Sequence, residues 1–236
     1  MKLKLLAAAA ALSMSLAGAA SAATYDFIAM ADGAVYGESA YTSFDDVTGL
    51  SITGVRDVDG LDVGDNTVAA FAYLDRNVAG MGVCGNATTL GPRGNVGSNV
   101  CLNAAGDGQA AGDDSMQSPV SEYLIFTAVT DGVLIESITV NRNHDGTLTD
   151  TQTVNVDGTL YDGSNATFYT SGGKGYLTIT VNRVLNAGES LYLTNGSSNQ
   201  LYMSAMNVSQ VPLPAAGLLL LGGLGGLAAM KRRKTA

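Results

Sequence analysis

Val211, Pro212, Leu213 and Pro214 are the residues of this chain best suited to be acted on by another protein. Two prolines two residues apart fix φ and keep the backbone extended, the form a protease or transpeptidase reads. A second chemical pair is Cys84 and Cys101, which match no metal or redox spacing and have no histidine close by in sequence. In an oxidising compartment they form a disulfide. It would close a loop of about 18 residues and stabilise by roughly 3 kcal/mol. A third group is acidic. Asp113 and Asp114 precede Glu122 by a few residues, and such oxygens suit calcium, which takes six to eight of them. Glu122 opens a strand and would be rigidly held. A second acidic run, Asp57, Asp59, Asp62 and Asp65, lacks the spacing of an EF-hand.

Catalysis finds little to work with. The chain holds 1 histidine, His144, in an Asn-His-Asp-Gly stretch that turn chemistry explains. No Gly-x-Ser-x-Gly elbow, HExxH, P-loop or GxGxxG unit is present. Tryptophan is absent, whereas sugar-cleaving clefts usually stack rings on substrate. The 10 tyrosines suit glycan recognition, although burial on strand faces explains most of them.

These residues must be held by three segments. Residues 1–22 read as a secretory signal peptide. Lys2 and Lys4 precede an apolar Leu5 to Leu16 stretch, and Ala20-Ser21-Ala22 is an A-x-A site that cuts between Ala22 and Ala23. Residues 211–236 read as a motif, a transmembrane helix and a basic end. Leu213 to Met230 spans roughly 27 Å as a helix, and Lys231, Arg232, Arg233 and Lys234 fix the topology as cytoplasmic. Residues 23–210 form the body. It carries six of the 12 basic residues and all 21 acidic ones, a net charge of −15. Such a surface repels nucleic acid and anionic lipid.

The body is read as all-β. Strands are expected at 24–30, 47–55, 67–74, 121–129, 132–142, 151–156, 159–161, 166–169, 175–182, 190–193 and 200–208. Val133, Ile135, Ile138 and Val140 are expected in the core, with a phase slip at Glu136-Ser137. Asp75 to Pro119 reads as long and irregular. About ten strands with turns at regular spacing suggest a single β-sandwich of jelly-roll type.

The tail resembles the PEP-CTERM class of sorting signals of Gram-negative bacteria, in its VPLPA variant. Ala72 to Cys84, Gly112 to Thr127 and Leu193 to Ala215 resemble short stretches of such proteins. The resemblance supports the β-sandwich and implies no established activity. It implies export through the Sec machinery, an inner-membrane anchored precursor, and processing by an exosortase, a membrane cysteine protease. The product would reach the cell surface or extracellular matrix. The expected role is non-catalytic, a structural or adhesive component of biofilm, with extracellular polysaccharide as partner and no nucleic acid. A calcium-dependent carbohydrate-binding module is the alternative, and an extracellular hydrolase is the third reading.

Overall fold

The structure is a computed structural model that describes residues 22–57, 67–92, 100–102, 116, 121–144, 146–197 and 200–211. The leader before Ala22, the sorting tail after Val211, the acidic run between Asp57 and Thr67, and Asp113 with Asp114 lie outside the described residues. Among the described residues no helix is long and apolar enough to cross a membrane.

The chain is all-β, and every strand pairing is antiparallel. β1 (Ala22–Asp26) leads into the short helix α1 (Phe27–Asp32). The strand expected at 24–30 therefore ends early. The Asp26 side chain caps α1 by accepting from the Ala29 amide at 2.9 Å, and Phe27 and Ala31 are buried. β2 (Ser39–Tyr41), β3 (Phe44–Val47), β4 (Leu50–Asp57), β5 (Thr67–Asp75) and β6 (Gly80–Cys84) follow. The strand expected at 47–55 spans the end of β3, a turn and β4. β6 overturns the expectation of irregular chain from Asp75 onward. Its sequence, GMGVC, has two glycines and the look of a loop, but all five residues are buried.

Two short strands, β7 (Asn86–Ala87) and β8 (Cys101–Leu102), pair with each other. The second half is more regular: β9 (Ser121–Ala128), β10 (Val133–Asn141), β11 (Val154–Val156), β12 (Thr159–Tyr161), β13 (Thr167–Ser171), β14 (Lys174–Leu185), β15 (Ser190–Asn195) and β16 (Tyr202–Gln210). Sixteen strands are present among the described residues, more than the eleven ranges expected, because β2, β3, β6, β7 and β8 are too short or too glycine-rich to show period-2 patterning.

One curled sheet runs from edge to edge as β12-β11-β15-β9-β4-β5-β6-β16-β10-β14-β13. The pivot is β5. Its first half, Thr67 to Ala70, pairs with β4; from Phe71 to Asp75 it pairs with β6, and over Ala72 to Leu74 also with β2. Gly54 marks the exchange: a Cβ there would lie 2.5 Å from the Phe71 carbonyl group, so only glycine lets the two backbones approach. Alternation then sets the core. Ile52, Leu124, Phe126 and Leu193 on one side of the pivot share a single apolar cluster with Val83, Ile138, Leu177 and Met203 on the other. Each such side chain stabilises by roughly 1.5–3 kcal/mol on burial. Val133, Ile135, Ile138 and Val140 are all buried, and the β10–β14 register shifts between Ile135 and Ser137, opposite Asn182 at φ 49°.

A smaller cluster covers the reverse face of β5 and β6. Ala72 and Leu74 enter the main core, whereas Tyr73 packs with Ala40, Cys84, Val100 and Cys101. This double cover is why β6 is buried at every position.

Candidate functional site

The expected signal cleavage pair sits in the pairing between the first and last strands of the body. β1 pairs with β16 in the register Ala22↔Ser209, Ala23↔Val208 and Thr24↔Asn207. Ala22 and Ala23, the expected signal cleavage pair, thus lie beside the last residues before Val211. Thr24 and Asn207 also share a hydrogen bond of 2.6 Å. Ala22–Ser209 pack as one compact unit. Of the motif, Val211 is described and half-buried; Pro212, Leu213, Pro214 and the basic Lys231, Arg232, Arg233 and Lys234 lie outside the described residues.

Cys84 and Cys101 form the expected disulfide, with Cα atoms 5.7 Å apart. Both residues are buried. The loop they close is also held by the Thr88 amide donating to the Val100 carbonyl at 2.9 Å and by the β7–β8 pair.

Of the three expected calcium ligands, only Glu122 is described. It is fully buried, and its Oε1 lies 3.9 Å from the Arg56 Nε, opposite it in the β4–β9 register. Arg56 supplies the counter-charge that a bound cation would. Among the described residues no group of three histidine, cysteine or carboxylate side chains could hold a metal.

Chemistry missed in the sequence gathers at residues 141–146. The His144 Nδ1 lies 2.7 Å from the buried Asp75 Oδ2, and the Tyr202 hydroxyl is 3.5 Å from the same nitrogen. Asp75 ends β5, nearly seventy residues earlier, so no local pattern could show this pairing. The next outward side chain on β5, Tyr73, donates to the buried Glu38 Oε1 at 2.6 Å. Asn141 donates to the Ala79 carbonyl at 2.7 Å and accepts from the Asn143 amide at 2.7 Å. These bonds pin a turn across the reverse face of the sheet.

Beside that turn stands an aromatic pair. Tyr169 on β13 and Tyr176 on β14 are register partners, and their rings stack with centroids 5.2 Å apart and planes 13° apart. Leu177 and Ile179 point into the core, so Lys174 and Tyr176 share the opposite face. Tyr169 remains 44% exposed. Burial, and then the neighbouring Tyr169, push the Tyr176 phenol above its ordinary value of 10.0. Lys174 Nζ donates to the Asn143 carbonyl at 2.7 Å. The Asn143 amide is buried beside Tyr176, outside good hydrogen-bonding geometry, and neither Nδ2 nor Oδ1 has a well-formed partner. Arg142 lies over Gly146, its guanidinium 3.4 Å from where a Cβ would stand. Neither Arg142 nor Lys174 has a carboxylate at ion-pairing distance among the described residues, whereas Arg56 faces Glu122 and Arg183 pairs with Asp157.

No family model, no curated protein and no solved structure matches this chain.

Proposed function

We propose that this chain is an exported, exosortase-processed protein of the cell surface or extracellular matrix, in which a disulfide-stapled β-sandwich is a non-catalytic structural or adhesive component of biofilm. One observation carries most weight: β1 and β16 are antiparallel neighbours, with Ala22 opposite Ser209. The body is therefore complete between the two points at which the precursor would be cut. Cleavage between Ala22 and Ala23 would take only the first residue of β1 and leave the pairs from Ala23↔Val208 onward, and cleavage beyond Val211 would leave β16 whole. The buried disulfide suits an oxidising destination.

The pivot at β5, which hands the sheet from one set of neighbours to another, and the main core shared by both halves support the sandwich reading. A jelly-roll arrangement is the form of sandwich we favour. Val211 to Pro214 serve as the recognition segment, and Lys231 to Lys234 hold the precursor's end in the cytoplasm.

Replacing Pro212 and Pro214 with alanine tests this reading. The variant, expressed in a Gram-negative host that carries an exosortase, should stay in the membrane fraction with its tail uncut. A variant trimmed and released like the parent protein would overturn it.

A further inference from the structure

Among the described basic residues of the body, Arg56 faces Glu122 and Arg183 pairs with Asp157, while Lys174 lies on the strand face that carries an exposed aromatic stack. One face of Tyr169 is covered by Tyr176. Its remaining exposure of 44% therefore belongs largely to its other face and edges, on β13, the last strand of the sheet. A flat apolar face beside an ammonium donor fits a sugar: the C–H side of a hexose stacks on the ring, and its hydroxyls accept from the ammonium group. The charge of the whole decides the ligand class. A body of net charge −15 repels a polyuronate at long range, and one lysine does not reverse that.

We propose that Tyr169, Tyr176 and Lys174 form a binding subsite for one hexose unit of a neutral extracellular polysaccharide. The subsite deepens the matrix reading above and rests on it. Tyr169 supplies the stacking face, and Lys174 donates to ring hydroxyls. Binding through this site is nearly independent of salt, because no ligand charge is involved.

The test is affinity electrophoresis of the full chain in detergent micelles through gels containing a soluble glucan, galactan, mannan or polygalacturonate. Wild-type protein should be retarded by at least one neutral polymer, equally at low and high salt. Tyr169→Ala should weaken that retardation at least tenfold, Lys174→Gln several-fold, and Tyr169→Phe should restore it with the melting temperature unchanged. Retardation by polygalacturonate alone would overturn the neutral-sugar assignment. Retardation unchanged in Tyr169→Ala would overturn the site while leaving the matrix reading in place. If wild-type protein binds no polymer yet fractionates with the extracellular matrix of its host, the subsite falls and the matrix reading stands. If it does neither, both fall.

Discussion

Breaking the Cys84–Cys101 bond without removing atoms is the perturbation whose size follows most directly from the structure. The bond joins residues 17 apart in sequence. Reduction frees a loop of about 18 residues in the unfolded chain, which by chain entropy costs about 3 kcal/mol of stability. The native contacts of the loop do not offset this. The Thr88–Val100 hydrogen bond and the β7–β8 pair exist in the folded state whether or not the sulfurs are joined. The cost arises in the unfolded state, which gains freedom. With a urea dependence of about 2 kcal/mol per molar for a body of this size, the unfolding midpoint should fall by about 1.5 M on reduction. Equilibrium urea unfolding, followed by tyrosine fluorescence with and without reductant, reads this directly. A midpoint shift below about 0.3 M would refute the reasoning. It would mean that the unfolded chain keeps this loop closed by itself, and that the bond is not the staple of the second cluster.

Three further outcomes are expected. Gly54→Ala should cost at least about 2 kcal/mol, seen as a lower urea midpoint, because the new methyl meets Phe71 backbone atoms at 2.5 Å; a midpoint equal to the parent's would remove the strand exchange at β5 from the account. Arg56→Met should destabilise by about 3–5 kcal/mol by removing the counter-charge that faces the buried Glu122 carboxylate, and melting temperatures in excess calcium and in EDTA should coincide; a rise of several degrees with calcium would restore a cation site at Asp113, Asp114 and Glu122. Burial raises the Tyr41 phenol above its ordinary value of 10.0, with Tyr36 and Asp46 adding to the effect and the Ser39 hydroxyl opposing it. A raised folded value means stability that is fully present below pH 10 and lost as pH climbs through the folded value. Tyr41→Phe should hold its stability better than the parent between pH 10 and 11, and parallel losses in the two proteins would contradict this.

The regular strands were legible because one face of each is core. β9, β10, β12 and β16 fall close to their expected places, and the slip at Glu136-Ser137 is a real register shift, since the alternation of Val133, Ile135, Ile138 and Val140 breaks there in the sequence itself. β6 was hidden by the opposite physics. Covered on both faces and built of Gly80, Met81, Gly82, Val83 and Cys84, it shows no alternation. α1 was hidden because six residues carry too little period and its cap, Asp26, is also the end of a strand. The disulfide was readable from two cysteines and a compartment. The His144–Asp75 pair was not, because it joins a turn to a distant strand end through the topology of the whole sheet. The Tyr169–Tyr176 stack needed the β13–β14 register, which a short β-prone run does not specify.

The central claim is double processing at the two ends of one body. Intact-mass measurement of the protein recovered from the cell surface of an exosortase-bearing Gram-negative host tests it most directly. The account predicts a chain that begins at Ala23 and lacks the apolar span and Lys231 to Lys234. A recovered chain that still ends at Ala236 would contradict it.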